Sequence, residues 1–110
     1  MSFTLRALAG HFAGDYPLQT DWMAATKFDD PLVRATHVSI CTAAQAPAAL
    51  SADWSRRQQL VYLVTVWFTH FVIDTQRWQE PVDGFETFPV WYDQALHIIS
   101  LAVAEWLASR

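Results

Sequence analysis

The hydrophobic positions of this chain recur with the three- and four-residue spacing of amphipathic helices, without the alternation typical of strands. The pattern predicts four long helices separated by prolines and capping residues. They are residues 4–15, a helix that starts at Pro31 and ends or kinks at Pro47, residues 51–78, and residues 89–109. A short helical stretch over residues 18–27 follows a bend at Gly14 and Pro17. The predicted fold is all-α: one domain over residues 1–110, a small four-helix bundle with a bent N-terminal helical segment.

Capping residues mark the starts of three predicted helices. Asp29 or Asp30 caps the second helix, which has proline in its first turn, where the missing N–H costs nothing. Ser51 or Ser55 caps the third helix, and Thr87 caps the fourth. The third helix contains the run LVYLVTVWFTHFVI, which is apolar on nearly every face. We therefore expect the third helix to lie at the centre of the bundle.

Composition narrows the classes of function. Hydrophobic residues make up 53% of the chain and charged residues 16%, so polar surface is scarce. The formal net charge is −4, and without a basic face we expect no nucleic acid partner. The single cysteine, Cys41, excludes both a disulfide framework and a cysteine-rich zinc knuckle. Any bound metal must therefore be held mainly by histidine and carboxylate groups.

The apolar content leaves membrane association open. The most apolar run, from Leu60 to Ile73, is 14 residues long and contains His70, whereas a spanning helix needs about 20 apolar residues. The N-terminus does not resemble a cleaved signal peptide. The six tryptophans would suit a membrane-interface belt. We expect a cytoplasmic or membrane-associated protein that contacts a membrane surface or lipid, or that forms a homo-oligomer or a larger assembly.

Histidine and aspartate form three pairs with the four-residue spacing that places both side chains on one helical face. The pairs are His11 with Asp15, His70 with Asp74, and Asp93 with His97. Random placement would produce three such pairs from four histidines in about one chain in a hundred. The fourth histidine, His37, lies on the second helix, so each predicted long helix carries one histidine.

These residues predict a metal site inside the bundle, because bundle metal sites take ligands from facing helices. The predicted ligands are His11, Asp15, His37, His70, Asp74, Asp93 and His97. Imidazole with carboxylate favours a divalent ion, with Zn²⁺ the best match and Mn²⁺ or Fe²⁺ as alternatives. Some carboxylates would instead orient ligating imidazoles. An open coordination position would activate water, so we expect a metal-dependent hydrolase acting on a phosphoester or lipid-like substrate.

A non-enzymatic interpretation stays open. Buried histidine–aspartate pairs also fix helix register by satisfying one another, as expected for a module of a membrane surface or of a larger assembly such as a phage particle. Cys41 is either a soft ligand or a small buried residue. Gln19, Asp21 and Gln94 either orient ligands or solvate helix ends. The sequence lacks the motifs of serine hydrolases, phosphate-binding loops and dithiol redox proteins.

Four segments, HFAGDYPLQTDWMAATK, THVSICT, THFVIDTQRW and YDQALHIISLAV, resemble in order the signatures of the prokaryotic and phage domain-of-unknown-function family 3307. The resemblance spans most of the chain. It implies a small helical protein, often predicted to be at a membrane, without an established activity. It assigns the family's polar positions to His11, Asp15, Gln19, Asp21, His37, His70, Asp74, Asp93, Gln94 and His97.

The segment HFAGD is also similar to the opening motif of the zinc-dependent phospholipase C and single-strand nuclease superfamily. This similarity implies zinc at His11 and Asp15 and, by analogy, at His70 and Asp74. That superfamily continues with Gln-Pro-Leu-His, whereas this chain continues Tyr-Pro-Leu-Gln without the second histidine. The similarity therefore implies a smaller site than that superfamily's trinuclear centre.

Overall fold

A computed structural model describes residues 2–15, 20, 22–23, 27, 29–75 and 88–110, with the backbone alone for residues 15 and 88–93. Its helices are α1 (Phe3–Asp15), α2 (Pro31–Ser51), α3 (Arg56–Ile73) and α4 (Phe88–Ala108). Helix α1 packs along α2, α2 along α3, and α3 along α4. The described residues contain no strand, so the predicted all-α four-helix architecture is confirmed. Most of the predicted helical stretch over residues 18–27 lies outside the described residues.

Capping hydrogen bonds decide between the alternative residues predicted at two helix starts. The Asp30 carboxylate accepts hydrogen bonds from the backbone N–H groups of Leu32 (2.9 Å) and Val33 (3.4 Å), so Asp30 caps α2. Ser55 caps α3 through a reciprocal capping box with Gln58, at 3.2 Å and 2.8 Å. The predicted cap Thr87 lies outside the described residues.

Two helix ends differ from their predictions. Helix α2 continues through Pro47 to Ser51, so of the two outcomes predicted for this proline, a helix end or a kink, the helix end is wrong. Pro47 has no N–H group to donate to the Ala43 carbonyl group. The helix tolerates this proline because Pro47 lies one turn from the end of α2 and Ala43 is exposed to water. Helix α3 ends at Ile73, with Asp74 as its C-cap, and is shorter than the predicted residues 51–78.

The expected central position of α3 is wrong. Its buried residues are Tyr62, Val66 and His70, which form a single stripe. Four large apolar side chains on the opposite face are each at least 52% exposed: Leu60, Val64, Phe68 and Val72. Each helix of a four-helix bundle has an outward face, and in α3 this face is apolar as well. Within the described ranges, every helix falls short of the length or apolarity needed to cross a membrane.

The interior of the bundle is divided along its length. One end, here called the apolar end, is built from Ala49, Tyr62, Val66, Leu101, Ala104 and Ala108, with Phe3 and Trp54 packed against it. Tyr62 donates a hydrogen bond to Gln45 Oε1 at 2.6 Å, and Gln45 Nε2 donates to the Ala7 carbonyl at 2.7 Å. Beyond Gln45 the interior becomes polar, because the four histidines project into it.

Two glycines allow α1 to approach α2 closely. A Cβ atom on Gly14 would lie 2.6 Å from Cys41 Sγ, and one on Gly10 would lie 2.5 Å from the Ala44 carbonyl oxygen. Both distances are too short for any side chain. This close approach holds His11, which lies between the two glycines, against the interior.

Candidate metal centre

The structure brings the four histidines together in the polar half of the interior, one from each helix, and all four are buried. Ring centroids of His70 and His97 lie 4.3 Å apart, and those of His37 and His70 lie 5.1 Å apart. The His11 ring lies 5.3 Å from His97 and 6.3 Å from His70. These residues are here called the histidine cluster. Each helix contributes one imidazole because the bundle turns one face of every helix inward.

Asp74, the residue that follows the last residue of α3, lies next to three histidines of this cluster. Its backbone N–H bonds the His70 carbonyl at 2.9 Å, which places the carboxylate one turn beyond His70. Asp74 Oδ2 lies 3.1 Å from His70 Nε2 and 3.4 Å from His37 Nε2. The other oxygen, Oδ1, lies 3.2 Å from His97 Nε2. One fully buried carboxylate therefore faces imidazoles from three helices.

The geometry around Asp74 differs from that of ordinary hydrogen bonds. Within the described residues, neither carboxylate oxygen has a partner with hydrogen-bond geometry. The nitrogen–oxygen distances also exceed the about 2.7–2.9 Å of charge-assisted hydrogen bonds. Ligand atoms that share one tetrahedral zinc ion, with bonds of about 2.0–2.1 Å, lie about 3.3 Å apart. The distances of 3.1–3.4 Å around Asp74 match that separation.

The electrostatic environment keeps Asp74 ionised. Burial alone would raise the pKa of its carboxyl group, but contacts with His37, His70 and His97 outweigh burial. The charge of His70 acts in the same direction, so the pKa of Asp74 lies well below its ordinary value. The cluster therefore presents a carboxylate, which is the form that binds a metal cation.

Lys27 is a further member of the site, which the sequence pattern did not reveal. Its Nζ atom lies 3.5 Å from Asp74 Oδ2 and 3.4 Å from His37 Nε2. It is the only lysine in the chain and is buried. The one available signal was this uniqueness, because Lys27 has no histidine or aspartate four residues away in the sequence.

Cys41 lies one turn after His37, and its Sγ atom is 3.6 Å from His37 Nε2. Nitrogen and sulfur ligands of one tetrahedral zinc ion lie about 3.6 Å apart. Two overlapping groups have donor atoms within 4.8 Å of one another: His37 with Cys41 and His70, and His70 with Asp74 and His97. Cys41 is also fully packed, so the geometry suits both interpretations drawn from the sequence.

The remaining predicted residues are distributed around this centre. His11 Nε2 lies 3.1 Å from Gln94 Oε1, so Gln94 orients a histidine of the cluster. Asp15 and Asp93 lie on α1 and α4, and their side chains are outside the described part of the chain. The predicted residues Gln19 and Asp21 lie outside the described residues as well.

A small cavity of about 10 Å³ lies beside His11, His70 and His97. This volume accommodates about one water molecule. The histidine cluster therefore has room for a single small ligand next to its imidazoles.

Comparison with known proteins gives one match. No curated protein and no solved structure matches this chain, and the similarity to the phospholipase C superfamily stays a prediction. The family model described as a protein of unknown function, DUF3307, matches residues 3–109. All four histidines and Asp74 fall inside the matched range. Because the match covers nearly the whole chain, this protein belongs to the DUF3307 family.

Proposed function

We propose that this protein binds a divalent metal ion at Asp74, His70 and His97, and that the ion serves hydrolysis of a phosphoester or lipid-like substrate. The observation that carries the proposal is the buried Asp74 carboxylate, with imidazole nitrogens from three helices at 3.1–3.4 Å. Zn²⁺ suits this donor set best, because it combines imidazole and carboxylate ligands at these separations. His37 is the nearest additional donor.

The residues beside the cavity support the hydrolytic part of the proposal. A zinc ion lowers the pKa of a bound water molecule to about 7, and the cavity accommodates about one water molecule. His11 lines this cavity, and the Gln94 carbonyl oxygen favours the His11 tautomer with its proton on Nε2. The other nitrogen of His11 is then basic, which suits His11 to accept a proton from water.

Metal content is the first test. We expect gently purified protein to contain zinc in stoichiometric amount, measured by elemental analysis. Replacing Asp74→Asn should lower zinc affinity by at least about 100-fold in a chelator competition assay, since it removes the central anion. Asp53→Asn is the matched control, because Asp53 is exposed, and its affinity should be unchanged. His97→Gln is a second variant that keeps the charge of Asp74 and should also lower affinity.

Metal-free wild-type protein that gains no zinc and is indifferent to chelator would contradict metal binding. Hydrolysis is tested separately with bis(p-nitrophenyl) phosphate and with phospholipid vesicles. We expect a zinc-dependent rate that His11→Gln lowers by about 100-fold while zinc content stays the same. The cavity is too small for a substrate, so hydrolysis requires movement of the surrounding helices. Zinc binding without turnover would contradict the proposed hydrolysis and leave the proposed metal binding intact.

A second candidate is a non-enzymatic helical module at a membrane surface or in a larger assembly. It is favoured by two observations: Lys27 already supplies a cation to Asp74, and α3 exposes an apolar face. In this function the cluster fixes helix register and the apolar face contacts lipid or protein. Flotation with lipid vesicles and sedimentation analysis test it. Replacing Phe68→Ser should abolish either association, whereas Arg57→Ser at an exposed polar position should preserve it.

A further inference from the structure

We infer that the Lys27 ammonium group is the counter-cation of the metal-free centre, and that a metal ion binds only by displacing it from Asp74. The inference rests on the proposed metal-binding function. It adds a residue that sets metal affinity, which the donor atoms alone do not determine.

The position of the ammonium group carries the inference. Lys27 Nζ approaches Asp74 Oδ2 (3.5 Å) and His37 Nε2 (3.4 Å), two atoms that also face the proposed ion site. A metal ion bound to Asp74 would therefore lie close to a positive charge. The site is almost entirely shielded from water, so repulsion between the two cations is screened weakly. The ammonium group and the metal ion are alternative occupants of one anionic position.

The backbone of Lys27 is anchored independently of its side chain. The Lys27 N–H donates to the Met23 carbonyl at 2.9 Å, and Arg34 Nε donates to the Lys27 carbonyl at 3.0 Å. The Arg34 guanidinium group also lies over the Phe71 ring, 4.9 Å from its centroid. These contacts tie Lys27 to α2 and α3 through groups other than its ammonium. The long side chain can therefore leave Asp74 by rotation about its own bonds while the backbone stays in place.

This arrangement has a consequence for metal choice. Before a metal ion binds, the Lys27 ammonium charge balances the Asp74 carboxylate charge. An incoming ion must bind strongly enough to replace that contact. Ions that bind imidazole strongly, such as Zn²⁺, meet this requirement better than Mn²⁺, which precedes Zn²⁺ in the usual order of affinity. Lys27 therefore raises the intrinsic affinity that an ion needs in order to bind, and at a given ion concentration this requirement excludes weakly binding ions.

The first test compares Lys27→Met with wild-type protein in zinc titrations at one pH and one ionic strength. Methionine keeps the apolar length of the side chain and removes its charge. We expect Zn²⁺ affinity to rise about 10- to 100-fold, and Mn²⁺ affinity to rise by a similar factor. Arg57→Met, which removes an exposed cation at the start of α3, is the matched control and should change neither affinity. Equal zinc affinities for Lys27→Met and wild-type protein would overturn displacement.

The second test uses metal-free protein in chelator, so it is independent of the proposed function. Lys27→Met and Asp74→Asn should each lower the midpoint of thermal unfolding, because each leaves a buried charge without its partner. The double variant should lose less than the sum of the two single losses. Additive losses would overturn the role of Lys27 as counter-cation. Absence of zinc binding in both wild-type protein and Lys27→Met would overturn the proposed function together with displacement.

Discussion

The two ends of the bundle interior are held together in different ways. At the apolar end, Tyr62 and small residues such as Ala104 pack without charge, and the buried polar groups of Tyr62 and Gln45 are hydrogen-bonded. In the histidine cluster, Asp74 faces three imidazoles and an ammonium group at 3.1–3.5 Å, and among the described residues neither carboxylate oxygen has a partner with hydrogen-bond geometry. Packing alone accounts for the apolar end. In the histidine cluster, the buried carboxylate needs a cation to balance its charge.

This difference assigns stability to one end of the bundle and the proposed function to the other. A packed apolar core gains free energy from burial of surface, whatever is dissolved in the solvent. A buried ionic cluster contributes little net stability, because desolvation of its charges opposes their attraction. The proposed metal binding therefore gives the histidine cluster a role that its small contribution to stability does not explain. Three predictions test this division.

The largest expected effect is loss of packing at the apolar end. Replacing Tyr62→Ala should lower the free energy of unfolding by about 3–5 kcal/mol, as for other large buried aromatic side chains. The increase in unfolding temperature on zinc addition should be the same as in wild-type protein, because Tyr62 lies outside the donor set. Calorimetry with and without zinc measures both. A smaller zinc response would show that the two ends are coupled.

Acidification should destabilise the metal-free protein through Asp74. Because the pKa of folded Asp74 is lowered, its contribution is complete above the ordinary value of 3.8. The contribution is lost as the pH falls below that value towards the pKa of the folded state. Full protonation breaks a buried ionic contact and should remove at most about 3–5 kcal/mol. Urea unfolding in chelator between about pH 5 and about pH 2 measures this loss. Asp74→Asn should flatten the curve, whereas an Asp74→Asn curve as steep as wild type would refute the assignment.

A smaller effect is expected where α1 meets α2. The added Cβ of Gly14→Ala would lie 2.6 Å from Cys41 Sγ and 2.9 Å from Cys41 Cα, so α1 must move outward. We expect a loss of about 1–3 kcal/mol in the free energy of unfolding and slower zinc-dependent hydrolysis, because His11 moves with α1. Ala9→Ser, at an exposed position of α1, should change stability by only about 0.5 kcal/mol. Unchanged stability in Gly14→Ala would show that the helices separate without cost.

The helices and their inward faces follow from local sequence. Asp30 and Ser55 are capping residues next to helix starts, and four-residue spacing places His70 and Asp74 on one face. These features depend on neighbours within one turn, so they can be predicted without the fold. The position of α3 in the bundle, by contrast, does not follow from local sequence. An apolar surface has the same pattern whether it faces the bundle interior, a partner or lipid.

The composition of the cluster depends on contacts between helices. The sequence gives His37 no carboxylate four residues away, but the bundle brings Asp74 from α3 to within 3.4 Å of its Nε2 atom. Lys27 reaches the same carboxylate from a stretch before α2. Such contacts depend on how three segments pack, and no periodicity encodes them. The sequence therefore predicts that the histidines converge, but it does not predict that Asp74 and Lys27 lie beside His37.

The seam between α1 and α2 has no room for an oxidised Cys41 side chain. Its thiol lies beside His37 and fills the space in front of Gly14, where even a methyl group would lie 2.6 Å from sulfur. Conversion to a sulfenic or sulfinic acid adds one or two oxygen atoms to that sulfur. The added atoms do not fit on the Gly14 side, so peroxide damage at this one thiol would force the first helix away from the second.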